Sequence, residues 1–166
     1  MDTGRHARID WAEFERTAPQ AVAALRALGK AVDDSGLEKS LTELIKVRAS
    51  QLNGCAFCLQ LHLNSAHKLG IAPAKLDLVA VWAELGADVF SARERAALAW
   101  TEALTLMAAR PVPDAVYEGL QAGFSAAEIP FLTASIGAIN AWNRICGALR
   151  FTPPIPAERL QTGAGA

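Results

Sequence analysis

No surplus of charge of either sign runs through this chain: sixteen Lys and Arg stand against seventeen Asp and Glu, a net charge of −1 over 166 residues. Without a basic excess nothing is available to hold a phosphate backbone, and no nucleic-acid partner is expected. No apolar run approaches the ~18 residues that would span a bilayer, so no membrane partner is expected either. The first eleven residues carry Asp2, Arg5, Arg8 and Asp10 and lack an apolar core, unlike an export signal. The cytoplasm is the expected location. Cysteine is scarce, and its odd count of three does not suit a disulfide-stapled secreted scaffold. Internal repeats, low-complexity blocks and strand-like alternation of useful length are missing too.

Helix formers, by contrast, are plentiful. There are 34 alanines and 20 leucines, a third of the chain. With 52% hydrophobic and 20% charged residues, an all-α multi-helix bundle is expected rather than a disordered or β-rich chain. The length suits one domain over residues 1–166, with a core of about 10–150. Punctuation predicts about seven helices. Pro19 opens the first, which Asp33-Asp34-Ser35-Gly36 ends. Ser35 and Glu38 match a capping box for the second, which runs to about Leu52 and stops at Asn53-Gly54. The third runs from about Cys55 to Leu69, and the fourth from Pro73 to near Gly86. Ser91 and Glu94 cap a fifth over Ala92 to Ala109. A short sixth covers Asp114 to Ala122. The last starts at Ser125 and Glu128 and reaches about Arg150, with a kink or fresh start expected at Pro130. The tail from Pro153 to Ala166 is expected to be loose.

The chemistry gathers on the third helix. At about 100° per residue, Cys58, Leu59, His62, Ala66 and Leu69 all fall within about 60° of Cys55 on the helical wheel. Both cysteines and one histidine therefore share an apolar, inward stripe, while Gln60, Asn64, His67 and Lys68 face water. A Cys-x-x-Cys pair at a helix start can close a disulfide, and the unpaired N–H groups there favour a thiolate. His62, one turn after Cys58, can exchange a proton with it. Two blander readings stand beside this one: a pair of packed core cysteines, or half a zinc site. A structural zinc needs four ligands, and no second Cys or His pair lies at suitable spacing. No metal and no cofactor is expected. Cys146, in Ile145-Cys146-Gly147, reads as a buried packing residue. His6 carries no signal.

Glu43, eleven residues, Cys55-Ala-Phe-Cys58, three residues and His62 together resemble the Glu…Cys-x-x-Cys-x-x-x-His signature of the alkylhydroperoxidase D family, within the wider carboxymuconolactone decarboxylase-like superfamily. Lys46 to Cys55, Ser91 to Trp100 and Ile139 to Arg144 are similar to further stretches of it, so the likeness covers about residues 10 to 150. The resemblance implies an all-α fold, a homotrimer or homohexamer, and thiol-dependent peroxidase activity. It implies that Cys58 is the nucleophile that attacks a hydroperoxide, that Cys55 resolves the sulfenic acid as a disulfide, and that His62 and Glu43 relay the proton. An external dithiol reductant then restores the pair. Relatives carry a histidine where this chain has Phe57, which bears on efficiency and on the reducing partner. The decarboxylase branch lacks the cysteine pair. A disulfide reductase or adaptor, and a redox-sensing oligomer without catalysis, are the competing functions.

Periodicity and resemblance disagree at one residue. Leu37, Leu41, Leu44, Ile45 and Leu52 share one face of the second helix, and Glu43 falls opposite with Val47 and Ser50, which reads as solvated. The family role instead needs Glu43 against the cysteine helix. Arg48, on the apolar face, is expected to snorkel or to pair with a buried acid. Phe57, Leu61 and Leu63 widen the apolar arc of the third helix to roughly 200°, so Phe57 and Leu61 are expected to pack on another helix or another subunit. Trp142 reads as core and Asn143 as a local hydrogen bonder, against a sharper reading in which both line a pocket beside the cysteines; Trp82 and Glu84 have the same status.

Overall fold

A computed structural model describes residues 7–160. Among them run nine α-helices and no strand: α1 (Trp11–Thr17), α2 (Pro19–Asp33), α3 (Lys39–Leu52), α4 (Ala56–Lys68), α5 (Pro73–Leu78), α6 (Ala92–Thr105), α7 (Asp114–Gly123), α8 (Glu128–Leu149) and α9 (Ala157–Leu160). A 3-10 helix, Val79–Glu84, follows α5. His6 lies outside the described residues. The all-α bundle expected from composition is the observed fold, and each of the seven expected helices has its counterpart. No single described helix is long and apolar enough to cross a membrane.

Two elements escaped the sequence. The first, α1, is capped by Asp10, whose carboxylate accepts from the Glu13 N–H at 2.8 Å. The second, α9, lies in the tail expected to be loose, and Asn64 Nδ2 donates to the Pro154 carbonyl at 2.9 Å just before it. Boundaries moved for physical reasons. Ser35 does not cap α3: its hydroxyl donates back to the Val32 carbonyl at 2.6 Å. Glu38 is drawn instead to Arg93, which it meets at 3.0 Å. The same guanidinium reaches Glu128 and the Gly123 carbonyl, so it fastens the starts of α3 and α8 to the end of α7. The expected helix to Gly86 divides at Val81, which leaves helical geometry (φ −119°, ψ 22°). Arg95 donates to the carbonyls of Trp82 and Leu85 at the end of the 3-10 helix. Past Thr105 no apolar face remains to bury, Met107 being 60% exposed, so α6 stops short of Ala109. Its Ser91–Glu94 capping box forms as expected. Pro130 causes no break, because it is the third residue of α8, where its missing N–H has no helical partner to lose.

Helix α3 is the centre of the bundle, packed against α4, α6 and α8. Leu41 and Ile45 join Val32, Leu120, Leu132 and Ile136 in one apolar cluster, while Leu44 and Val47 join Phe90 and Leu98 in another. A helix covered on several sides has no solvated stripe. This is why Val47, Ser50 and Glu43, which periodicity placed in water, are all buried.

Candidate active site

The turn between α3 and α4 sets the geometry. Gly54 takes the left-handed conformation (φ +64°), the Gly54 N–H donates to the Gln51 carbonyl at 3.2 Å and the Cys55 N–H to the Ser50 carbonyl at 3.1 Å. This is a Schellman closure of α3. The same Cys55 then caps α4, its Sγ accepting from the Cys58 N–H at 3.4 Å. One residue thus ends one helix and starts the next, and the thiols are pinned to the C-terminus of α3.

Glu43 and His62 meet across α3 and α4 as the family resemblance requires. Glu43 is 3% exposed, and its Oε2 lies 2.7 Å from His62 Nδ1. Because a carboxylate only accepts, Nδ1 donates, and whenever the ring is neutral Nε2 is the acceptor. Lys46 Nζ donates to the other carboxylate oxygen at 3.0 Å. Burial works against the ionised acid, but the hydrogen bond and charge of His62, joined by Lys46, outweigh it and lower the Glu43 carboxyl to about 2.

All three cysteines of the chain meet behind this pair. Cys55, Cys58 and Cys146 are buried, unpaired by disulfides, and packed with Ala49, Ile139 and Phe151. Cys146, expected to be mere packing, sits in one buried cluster with both other thiols. The hydrogen bonds from Cys146 and Cys58 hold the Cys55 thiol well below the ordinary range, helped by the Cys58 N–H and Asn143. Cys58 moves the opposite way: the Cys146 contact lowers it, but sharing a proton with Cys55, burial and the neighbouring negative charge raise it more. The cluster thus favours ionisation at Cys55 over Cys58. Asn143 is more than a local hydrogen bonder. Its amide donates to Ser50 Oγ at 3.0 Å and accepts from Asn53 Nδ2 at 2.9 Å, which ties α8 to the end of α3 beside the thiols. The spacing Asn143-x-x-Cys146, one helical turn, was the overlooked signal.

Beside the cluster opens a cavity of about 540 Å³, lined by Cys58, Cys146 and His62 and by the apolar Phe57, Leu61, Ile139 and Trp142. Trp142, expected to be core, faces this space. Cys55 does not. Helix α1 forms one wall. Trp11 lies 6.3 Å from Phe57 in a stacked pair, 5.9 Å from Trp142 and 5.7 Å edge-on to Phe151. Phe57 is thus covered by another helix of its own chain, whereas Leu61 remains 41% exposed. Trp11→Ala is expected to cost about 2 kcal/mol in chemical denaturation, less than a fully buried aromatic because Trp11 is half-buried. It should also raise the rate at which a bulky disulfide reagent titrates the thiols; an unchanged rate would show that these rings do not shield them.

The remaining candidates serve structure. Arg48 pairs with an acid: its Nε lies 2.7 Å from Glu102 Oε1, which also accepts from Trp82 Nε1 at 2.7 Å. Trp82 is core, and Glu84 is exposed. Among the described residues no group of three or more His, Cys, Asp or Glu side chains is arranged to hold a metal ion.

Comparison with known proteins matches residues 9–103 to the carboxymuconolactone decarboxylase family. A protein of unknown function from Agrobacterium tumefaciens, proposed as the antioxidant defence protein AhpD, is 40% identical; the match covers 91% of this chain and all of that one, with a TM-score of 0.84. The uncharacterized YdfG of Bacillus subtilis is 34% identical over 136 residues, 82% of this chain and 91% of that protein. An uncharacterized peroxidase-related protein from Ralstonia eutropha JMP134, an alkylhydroperoxidase AhpD core, is 25% identical with a TM-score of 0.73, over 88% of this chain and 76% of that one.

Proposed function

Since the chain belongs to the carboxymuconolactone decarboxylase family and is AhpD-like within it, we propose that it is a thiol-dependent peroxidase that reduces hydroperoxides at Cys58. The observation that carries this reading is the apolar cavity in which the Cys58 thiol and the Glu43-oriented His62 face the same space. His62 Nε2, directly or through a water, takes the Cys58 proton and returns it to the departing oxygen. Attack of the Cys58 sulfur on the peroxide O–O bond gives Cys58–SOH and an alcohol, or water from hydrogen peroxide. Cys55 then closes the Cys55–Cys58 disulfide with release of water.

The division of labour follows from the two thiols' surroundings. A strongly stabilised thiolate is a weak nucleophile and a good leaving group, whereas a thiol of higher pKa is the stronger nucleophile once deprotonated. Cys55 suits the leaving role and Cys58, the one in the cavity, the attacking role. An external dithiol would then attack the Cys58 sulfur through the cavity and expel Cys55. The apolar walls favour small organic hydroperoxides. The exposed Leu61 fits the homotrimer or homohexamer that the family implies, and location in the cytoplasm belongs to the same proposal.

The stabilised Cys55 thiolate also favours a second reading, a dithiol–disulfide reductase or adaptor. Stopped-flow mixing of reduced protein with cumene hydroperoxide, and separately with an oxidised protein dithiol, separates the two. The peroxidase reading expects loss of two thiols per hydroperoxide consumed, faster than exchange with the protein disulfide. Fast exchange with a sluggish peroxide reaction would sink it in favour of the adaptor.

A further inference from the structure

Cys146 has no part in the chemistry just described, yet its position is built rather than incidental. It lies 88 residues from Cys58 in sequence, on α8, and is 2% exposed. It lines the cavity that Cys58 lines and packs in one buried cluster with both other cysteines. One turn earlier, Asn143 clamps that face of α8 to Ser50 and Asn53, the same helix end that launches Cys55. The third thiol is therefore held against the pair by a hydrogen-bonded brace.

We propose that Cys146 is a third redox-active thiol of this site, pairing with Cys58 in a second intramolecular disulfide that staples α4 to α8. The pairing itself stands on the cluster; its use in turnover rests on the peroxidase reading. Two balanced routes lead to it. In the first, Cys58–SH and a hydroperoxide give Cys58–SOH and an alcohol; the Cys146 sulfur then displaces the hydroxyl, and the Cys146 thiol proton leaves with it as water. The two thiols are oxidised by two electrons and the O–O bond is reduced by two. In the second, the Cys146 sulfur attacks Cys58 in the Cys55–Cys58 disulfide, the new bond forms as the old one breaks, Cys55 departs as a thiolate, and the Cys146 proton passes to His62, which lines the same cavity. That exchange changes no oxidation state, and the well-stabilised Cys55 thiolate favours it as leaving group.

Cys55→Ser isolates the pairing, and serine is itself a favoured N-cap, so the start of α4 is retained; Cys55→Ala serves as a second background. Each is compared with the same chain carrying Cys146→Ala, with folding checked by circular dichroism. Dilute protein is oxidised with diamide, or with cumene hydroperoxide in the presence of dimedone, and mapped by non-reducing peptide mass spectrometry. With diamide, Cys55→Ser should give a Cys58–Cys146 peptide within one chain. With hydroperoxide, removing Cys146 should raise dimedone-labelled Cys58 on the order of tenfold, because the sulfenic acid has lost its last partner. Two free thiols after diamide, or links only between chains, would overturn the pairing. Equal labelling with and without Cys146 would overturn its resolving role. A diamide-formed bond with no reaction toward hydroperoxide leaves the third thiol standing and removes the peroxidase reading instead.

Discussion

Cys58→Ser is expected to abolish hydroperoxide turnover, with a loss on the order of a thousandfold or more in kcat/KM, the scale on which covalent catalysis fails when its nucleophile is removed. Serine keeps the size and the buried setting but replaces a sulfur that ionises with a hydroxyl that does not, so folding and cavity should be unchanged. Cys55→Ser should behave differently. The first oxidation at Cys58 survives there, and one hydroperoxide is consumed per chain before turnover depends on whatever thiol closes the disulfide. Single-turnover peroxide consumption and steady-state rates on the two variants make the comparison. Full single-turnover reaction in Cys58→Ser, with none in Cys55→Ser, would exchange the roles of the two cysteines and place the attacking sulfur at the α4 N-cap.

The second large effect is expected at Glu43, and its direction is set by titration. Its ordinary value is 4.5 and its folded value about 2. A carboxyl depressed on folding contributes stability that is present above the unfolded value and is lost as the pH falls through the folded one. The contribution is therefore complete at neutral pH and disappears between about pH 4.5 and 2, and the gap corresponds to about 3 kcal/mol. Glu43→Gln should lower stability at neutral pH by an amount of that order and flatten acid unfolding in this window, as urea titrations at several pH values would show. It should also lower peroxide turnover about a hundredfold, because glutamine no longer fixes the His62 ring with Nε2 as acceptor. His62→Ala should lose a similar factor, and the double variant little more, if the two act as one relay. Losses that multiply in the double variant would mean that they act independently.

How far the sequence reached can be seen from particular residues. The Cys55–Cys58–His62 stripe was legible because a single helix face places them, and local periodicity is the strongest signal a sequence holds. Glu43 was misplaced by the same rule, since periodicity assumes one buried face and α3 has several. The family pattern placed Glu43 correctly because it encodes a contact between two helices. Cys146 and Asn143 were undervalued for a related reason: they lie 88 residues or so from the cysteine pair, and nothing local marks a contact at that separation. Helix α1 carries a capping pattern, Asp10-x-x-Glu13, but at seven residues it is too short for periodicity to mark it. Tertiary demands explain the rest. Glu38 forsakes its cap for Arg93, and Pro130 is harmless once the start of α8 is known.

The tight closure at Gly54 bears on how this chain can change over generations. Point substitutions around it are graded in effect; an alanine there would carry a strain of about 1–2 kcal/mol from its left-handed backbone. A change of length is not graded. One residue inserted between Asn53 and Cys55 would put the closing bonds to the Gln51 and Ser50 carbonyls out of register and displace the start of α4, carrying His62 away from Glu43 and Cys58 out of the cavity in a single step. Insertions and deletions among relatives of this chain should therefore fall elsewhere, in the segment after Leu106 or beyond Phe151, while the count of residues from Glu43 to His62 stays fixed.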